Sequence, residues 1–380
     1  MGRIAFKDGR QRKRRLGIAW ATLAVVAVVW PAAAGAATLP GLPAWTGTVQ
    51  WWKRVPWAAQ LPGAPQQPGT PSAPGIPQQP PAGGGTAGTP FSGTYSGVAG
   101  SRNFRALVPS SYTKGTAMPM VVVLHGCTEN ADVMRQLTRF DQLAEAKGFI
   151  AVFPEQPQSA NPLECWNFFQ DAHMHRGSGE PALIAGITGW MQKRYTVDPR
   201  RIYVTGLSAG GGMASVMGAT YPDLYAAIAT GSGCEYASTA TCAGSQSADP
   251  NQAGAAAYKE MGSRARAMPV IAFQGDQNTT VPPVNADQLI QQWQQTADLA
   301  QDGSVPGAPA RTTSGQVPNG RSYTVSYYND ANGAELAQKW IVHGMTHAWS
   351  GGCSCESYAD PQGPDATAAM YAFFMSHPMP

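Results

Sequence analysis

From about residue 101 onward, short apolar runs alternate with segments of helical periodicity. The apolar runs predict strands at residues 120–124, 149–153, 202–205, 270–273 and 337–342. The segments between them predict helices near residues 133–147, 181–195 and 213–219. Because strands that alternate with helices form parallel sheets with helices on their faces, the pattern predicts an α/β fold with a mostly parallel central sheet.

The first 36 residues have the three parts of a signal peptide. Seven Lys or Arg residues and one Asp lie within the first fifteen positions, an apolar run follows at 16–30, and Ala34-Gly35-Ala36 resembles a cleavage site. The alternative is an uncleaved membrane anchor, but a run of about 15 residues is shorter than the about 20 that a spanning helix needs. We therefore expect no stable membrane span after processing, and a secreted, extracellular protein that is either free or retained at the cell envelope.

Residues 37–92 are dominated by Pro, Gly, Gln and Ala. Such a composition cannot bury an apolar core, so we predict a largely disordered linker there. The hydrophobic content of 43% and the alternation described above place a single folded domain at residues 93–380.

The formal net charge of +3 arises from the N-terminal basic cluster, since the remainder of the chain is net acidic. That remainder has neither a basic stripe nor a nucleic-acid recognition motif, so we expect no binding to nucleic acid. The oligomeric state is left open by the sequence.

All six cysteines lie beyond the predicted linker, and their even number in an exported chain predicts disulfides. They are Cys127, Cys165, Cys234, Cys242, Cys353 and Cys355. Cys234 and Cys242 close a short loop and form the clearest candidate pair. No Cys-x2-Cys pair recurs at the spacing of a zinc site, so we expect no metal and no other cofactor.

A candidate nucleophile stands at the end of the strand predicted at 202–205. Gly206-Leu207-Ser208-Ala209-Gly210 has the form G-x-S-x-G, and small, helix-compatible residues follow it. A strand that turns sharply into a helix needs small residues two positions on either side of the turn, because the backbone folds back on itself there. We therefore predict that Ser208 is a nucleophile exposed above the sheet at the N-terminus of a helix.

Acyl transfer at such a serine also needs two N–H donors for the oxyanion and a histidine base that follows in the chain. We expect the donors to be the N–H of Ala209 and that of Cys127, in the loop after the strand at 120–124. Among the downstream histidines, His377 lies near the C-terminus and His343 ends a predicted strand. His347 lies in a glycine-bounded loop from which an imidazole could reach the serine, so His347 is the predicted base.

Two residues are candidates for the group that orients this histidine. The strand at 270–273 leads into a loop whose usual pattern, G-x-x-D-x-x-V, places an acid at position 278, but this chain has Asn278. An amide can orient an imidazole, but it cannot stabilise the imidazolium by charge. Asp276 lies two residues earlier on the same loop, and we predict that it is the acid, with Asn278 as the alternative orienting group.

Together the motifs resemble the poly(3-hydroxybutyrate) depolymerase family of esterases, which has the α/β-hydrolase fold. The segments that carry the resemblance include Leu124-His-Gly-Cys-Thr128, Phe153-Pro-Glu-Gln156, Cys165-Trp-Asn-Phe-Phe169, Gly206-Leu-Ser-Ala-Gly-Gly211, His347-Ala-Trp-Ser-Gly-Gly352 and Asp360-Pro-Gln-Gly-Pro-Asp365. The resemblance implies a nucleophile at Ser208, a base at His347 and no metal. It also implies a disulfide between Cys127 and Cys165, which leaves Cys353 and Cys355 either paired with each other or free.

Three positions depart from the family's usual residues. Glu129 stands where Gln is frequent, Gln274 where His is usual, and Asn278 where the acid is expected. Only the last departure bears on the mechanism.

The resemblance implies the reaction more firmly than the substrate. We expect hydrolysis of poly- or oligo(3-hydroxybutyrate) or related hydroxyalkanoate esters through an acyl-enzyme on Ser208. A carbohydrate esterase of the feruloyl or acetylxylan type is the alternative enzyme, and a surface binding protein that keeps the hydrolase scaffold without turnover is the alternative of another class. Because the chain ends directly after the last helix, without an added substrate-binding domain, we expect a soluble or amorphous substrate. Trp166 and Trp349 either form an apolar platform beside the serine or pack in the core.

Overall fold

The structure, a computed structural model, describes residues 88–238, 242, 249–301, 303 and 305–380. The predicted signal peptide and all but the last five residues of the predicted linker lie outside these described residues. The first strand begins at Phe91, two residues before the predicted domain boundary. In the described part of the chain, no helix is both long enough and apolar enough to cross a bilayer.

Within the described ranges, ten strands form one mixed sheet. In chain order they are β1 (Phe91–Gly97), β2 (Gly100–Leu107), β3 (Met118–Leu124), β4 (Ile150–Pro154), β5 (Val197–Leu207), β6 (Ala227–Gly231), β7 (Val270–Gly275), β8 (Arg311–Gln316), β9 (Ser322–Asn329) and β10 (Glu335–Val342). Across the sheet their order is β1-β2-β4-β3-β5-β6-β7-β10-β9-β8. The strands from β4 to β10 in that order are parallel, and antiparallel pairs extend the sheet at both edges. Two further short strands, β11 (Trp349–Ser350) and β12 (Ala359–Asp360), pair with each other.

Helices cover both faces of the sheet. Those in the described residues are α1 (Ala131–Thr138), α2 (Phe140–Lys147), α3 (Gly179–Gln192), α4 (Ala209–Thr220), α5 (Pro250–Met261), α6 (Val284–Gln301) and α7 (Ala366–Ser376). Side chains of β3 alternate between the two faces, as in any strand that is buried on both sides. Met120 and Val122 pack with residues of α3 to α6, whereas Val121 packs with residues of α1, α2 and α7. The layered arrangement confirms the predicted α/β class.

The sequence located five of the six parallel strands in the described part of the sheet but missed β6 and the edges of the sheet. The five predicted strands correspond to β3, β4, β5, β7 and β10. The predicted helix at 133–147 is wrong as a single helix, because Arg139 takes a left-handed conformation, with φ 56°, between α1 and α2. The edge strand β1 was missed because its residues are half-buried or exposed and mostly small or polar, so it lacks an apolar run.

The parallel strands end at one edge of the sheet, where the chemistry-bearing residues collect. β3 leads into His125, β5 into Ser208, β6 into Ser232, β7 into Asp276 and β10 into His343. Ligand sites of open α/β sheets lie beyond the carboxyl ends of such strands. The sheet therefore brings loops that are distant in sequence to one place.

Candidate active site

Ser208 sits on a strained turn between β5 and α4. Its backbone has φ 57° and ψ −119°, which a residue with a side chain rarely adopts, and α4 begins at the next residue, Ala209. A Cβ on Gly206 would lie 2.3 Å from the carbonyl carbon of Gly210, and one on Gly210 would lie 2.2 Å from the carbonyl oxygen of Leu124. The two glycines thus permit the sharp turn, as the G-x-S-x-G spacing predicts.

The loop after β3 forms another wall of the pocket, and hydrogen bonds of His125 hold this loop in place. His125 is buried, its Nδ1 donates to the Gly126 carbonyl at 2.7 Å, and its Nε2 accepts from the Gln156 N–H at 3.0 Å. Burial lowers the pKa of His125 to about 4, so its ring is neutral and serves as a hydrogen-bonding strut. A disulfide between Cys127 and Cys165 and a bond from the Thr128 N–H to a carbonyl at 163 fasten the far end of the loop.

Two backbone N–H groups close to Ser208, in sequence or in the pocket wall, have no acceptor in the described part of the protein. Among the hydrogen bonds of the described residues, neither the Cys127 N–H nor the Ala209 N–H donates to a protein acceptor. Ala209 is the first residue of α4, where the N–H groups of a helix lack intrahelical partners and attract negative charge. The predicted role of these two N–H groups, to bind the oxyanion, requires donors without another acceptor, and it stays a prediction.

Ser208 and His347 line the same pocket. Its walls are formed by Gly126, Cys127, Glu129, Leu207, Ser208, Thr280, His347 and Tyr358, and its volume is about 40 Å³. The ring of Tyr358 meets the His347 imidazole edge to face, with centroids 5.9 Å apart. Burial lowers the pKa of His347 to about 4, so the imidazole is neutral at physiological pH.

The side chain that contacts this imidazole is Asn278. Its Nδ2 lies 3.1 Å from His347 Nδ1 and donates to Ser232 Oγ at 3.0 Å. Its Oδ1 accepts from the backbone N–H groups of Thr280, at 3.1 Å, and Val281, at 2.9 Å. Asn278 is buried, so all of these contacts are shielded from water.

Asp276, which the sequence favoured as the acid, is placed elsewhere. Its carboxylate lies 3.0 Å from His343 Nδ1 and accepts from the Gly344 N–H at 2.7 Å. The physical reason is the pairing of its backbone: the Asp276 N–H donates to the Val342 carbonyl, which prolongs the contact between β7 and β10 and turns the side chain to the end of β10. The orienting position beside His347 is occupied by Asn278, the alternative.

Glu129 is a wall residue whose position the sequence did not indicate. It is 3% exposed, and its Oε2 accepts from the Gly126 N–H at 2.7 Å. Its Oε1 is buried and has no partner among the described residues. Burial raises the pKa of Glu129 to about 7, and the charge of Glu356 adds to the shift. Its place in the sequence, two residues after Cys127 where the family often has Gln, was the available signal.

The two tryptophans proposed as a substrate platform do not line the pocket. Trp166 is fully buried beside His125, with ring centroids 5.5 Å apart. Trp349 is 1% exposed and its Nε1 donates to Thr367 Oγ1 at 3.0 Å. Both are core residues, Trp349 packing against Phe140 of α2, and Leu207 and Tyr358 supply the apolar wall instead.

The remaining cysteines also form disulfides. Cys234 pairs with Cys242, and Cys353 pairs with Cys355. The first pair follows β6, and the second precedes Tyr358 in the loop that closes one side of the pocket.

Comparison with known proteins gives one family. The family described as esterase PHB depolymerase matches residues 106–313, more than half of the chain. Poly(3-hydroxyalkanoate) depolymerase C of Paucimonas lemoignei is 30% identical over 237 residues, which are 60% of this chain and 54% of that protein. Acetylxylan esterase A of Aspergillus oryzae is 34% identical over 192 residues, 46% of this chain and 60% of that protein.

Among solved structures, an acetyl xylan esterase from Aspergillus awamori superposes with a TM-score of 0.55 and 26% identity, over 65% of this chain and 89% of that one. The similarity confirms the predicted α/β-hydrolase fold. The matches span only 54% and 60% of the lengths of the two curated relatives named above.

Proposed function

This chain belongs to the esterase PHB depolymerase family, and from that premise we propose that it hydrolyses carboxylic esters through an acyl-enzyme on Ser208. The observation that carries the proposal is the pocket itself. Ser208 on its strained turn, the His347 imidazole and Cys127 border one small cavity. Ala209 follows Ser208 directly at the start of α4, and neither its N–H nor that of Cys127 donates to a protein acceptor among the described residues. That combination is the machinery of acyl transfer.

The reaction begins when Ser208 Oγ attacks the ester carbonyl carbon and its proton passes to His347 Nε2. The carbonyl oxygen becomes an oxyanion between the N–H groups of Cys127 and Ala209. The ester C–O bond then breaks, and the leaving alcohol takes the proton from the imidazole. A water molecule, deprotonated by His347, next attacks the acyl-enzyme and releases the acid and Ser208.

The substrate we propose is an ester with a short acyl group. A pocket of about 40 Å³ is far smaller than the roughly 300–1,000 Å³ of sites that enclose drug-sized ligands. A 3-hydroxybutyryl or acetyl group fits such a cavity better than a feruloyl group, so the remainder of the substrate lies outside it. Oligo- or poly(3-hydroxybutyrate) is the first candidate, and the similarity to acetylxylan esterases favours an acetylated polysaccharide as the second.

We further propose that the protein acts outside the cell. Three disulfides in the folded domain support this location, because such bonds persist in oxidising compartments.

The test is a substrate panel on the purified protein and on Ser208→Ala, with Ser376→Ala as a remote serine control. We expect release of 3-hydroxybutyrate from oligomers or emulsified polymer, and covalent labelling by a fluorophosphonate, both lost only in Ser208→Ala. Release of acetate from acetylated xylan without action on the oligomers would assign the second substrate class. Absence of both turnover and labelling would refute the enzyme and leave a binding protein on a hydrolase scaffold.

A further inference from the structure

The orientation of the Asn278 side chain is fixed by its own backbone surroundings. Its Oδ1 accepts two hydrogen bonds, from the N–H groups of Thr280 and Val281. Only the oxygen of an amide can accept, so a flipped side chain would turn an NH2 group towards both donors. The flip would lose two backbone hydrogen bonds to gain one, and the observed orientation is therefore the stable one.

This orientation dictates which nitrogen of His347 carries the proton. The Asn278 NH2 group, which can only donate, lies 3.1 Å from His347 Nδ1. Nδ1 must therefore be the acceptor and carry no proton. A neutral imidazole has one N–H, so the proton resides on Nε2, the nitrogen that a serine nucleophile needs as a base.

Among the described residues, no carboxylate forms a hydrogen bond or an ion pair with His347, whose ring nitrogen contact is Asn278. Tyr358 packs its ring edge against the imidazole, and Ser208 and Glu129 share the pocket with it. The carboxylate on the same loop, Asp276, pairs with His343 instead. Because burial lowers the pKa of His347 to about 4, the ring is neutral, and the tautomer decides whether it can act as a base.

We propose that Asn278 is a positioning residue that holds His347 in the Nε2-protonated tautomer and thereby slows the attack of Ser208. The proposal rests on the proposed function. A proton on Nε2 must first leave and another must settle on Nδ1 before Nε2 can accept the serine proton. In that second tautomer, an N–H of His347 faces an N–H of Asn278, so it is sparsely populated.

The groups that hydrogen-bond Asn278 would also accommodate a carboxylate at position 278 without rearrangement. One carboxylate oxygen would accept from the N–H groups of Thr280 and Val281, as the amide oxygen does now. The other would accept from His347 Nδ1–H and from the hydroxyl of Ser232, which can turn to donate. Asn278→Asp therefore replaces the NH2 group that faces His347, a donor, with an oxygen, an acceptor.

The test is Asn278→Asp, assayed on a soluble short-chain ester beside Gln277→Glu. The control adds the same charge to the neighbouring residue, which is exposed and lies outside the pocket. We expect Asn278→Asp to raise kcat/KM by about 100- to 10,000-fold, the scale on which the reverse change slows a serine triad. We expect Gln277→Glu to leave it unchanged. The acidic limb of the pH profile should also move up towards neutrality, because a carboxylate favours the imidazolium.

A spectroscopic readout keeps the inference testable even if the variant folds poorly. The chain has six histidines, so ¹⁵N-histidine NMR of the unaltered protein, assigned with His347→Gln, can resolve this ring. We expect a bare Nδ1 and a protonated Nε2 in the unaltered protein, and a protonated Nδ1 in Asn278→Asp.

Two results would overturn the inference while leaving the proposed function intact. These are a protonated Nδ1 in the unaltered protein, and hydrolysis that requires Ser208 but does not rise in Asn278→Asp. If neither protein shows hydrolysis or fluorophosphonate labelling that depends on Ser208, the proposed function falls and the inference falls with it.

Discussion

The carboxylate of Asp276 lies 3.0 Å from His343 Nδ1, at the outer end of β10, and the orienting contact to His347 comes from Asn278 instead. The two residues are only two positions apart on one loop. Hydrogen bonds from the N–H of Asp276 to Val342 and from the N–H of Gln277 to Met345 fix the path of that loop. The path leaves the Asp276 side chain partly exposed and buries that of Asn278 beside His347.

The first prediction concerns this exposed pair. Asp276→Asn alters a partly exposed carboxylate–imidazole contact, and even a charged pair at such a surface contributes only about 0–1 kcal/mol to stability. Because the carboxylate does not contact His347, we expect kcat/KM to fall by less than about tenfold. Steady-state kinetics and urea unfolding of the variant check both values. A loss of a thousandfold or more would show that Asp276 reaches the base during turnover.

The second prediction concerns the glycine that permits the turn at the serine. A Cβ on Gly210 would lie 2.2 Å from the Leu124 carbonyl oxygen and 2.6 Å from that of His125. Since both obstacles are backbone, we expect Gly210→Ala to destabilise the fold by about 3 kcal/mol or more and to abolish hydrolysis.

The matched control for that substitution is Gly189→Ala in α3. A Cβ there meets nothing within 4 Å, so the change should add about 0.5–1 kcal/mol through helix propensity. Urea unfolding of both variants gives the comparison. A Gly210→Ala protein as stable and active as the unaltered chain would contradict the assignment of the strained turn.

What the sequence could and could not predict follows from how local each feature is. The turn at Ser208 is encoded by five consecutive residues, and five of the six parallel strands of the described residues by continuous apolar runs, so these were found. The sixth parallel strand, β6, is a short run of mostly small residues and was missed. The choice between Asp276 and Asn278 depends on the pairing of β7 with β10, whose residues are more than sixty positions apart. No local pattern carries that information.

Other features depend on tertiary packing in the same way. Tyr358 lies in the loop between β11 and β12, and the pairing of these two short strands places it at the pocket. Neither strand has an apolar run that would predict it from the sequence. Trp166 and Trp349 are large aromatic residues of the kind that form binding platforms, yet both are buried in the core. An aromatic residue near a catalytic motif in sequence therefore does not indicate a place in the pocket.

The third prediction compares the stabilisation by two disulfides that close loops of very different length. Cys127 and Cys165 are 38 residues apart, and the chain-entropy relation gives about 4 kcal/mol for a loop of that length. Replacing both with Ser should therefore lower the unfolding free energy by up to about 4 kcal/mol. It should also reduce kcat by up to about 100-fold if the Cys127 N–H is, as we propose, one of the two oxyanion donors.

The control for this pair is the double replacement of Cys353 and Cys355 by Ser. These residues are two positions apart and close almost no loop, so the unfolding free energy should change little. Equal losses in the two double variants would show that loop closure is not the source of the stabilisation.

The last prediction follows from the buried carboxyl of Glu129. Its pKa is about 7 in the folded protein and 4.5 ordinarily, so between these values the folded state binds a proton that the unfolded chain has released. The contribution of Glu129 to the unfolding free energy therefore falls as the pH rises from about 4.5 to about 7. Glu129→Gln has no such titration, so its advantage over the unaltered protein should grow across this window to about 3 kcal/mol and then level off. Urea unfolding at several pH values measures the difference, in which the titrations of His125 and His347 cancel because both proteins share them.

The control is a carboxyl group whose pKa is shifted in the opposite direction. Hydrogen bonds from Ser110 lower the pKa of the exposed Glu145, so Glu145→Gln should lose stability relative to the unaltered protein as the pH rises through the ordinary range of a carboxyl group. The two substitutions are chemically identical, and only the surroundings of the carboxyl differ. If the unfolding free energies of Glu129→Gln and the unaltered protein stay parallel from pH 4 to 8, then Glu129 ionises as freely as a solvated carboxyl, and the pocket wall is wetter than its 3% exposure indicates.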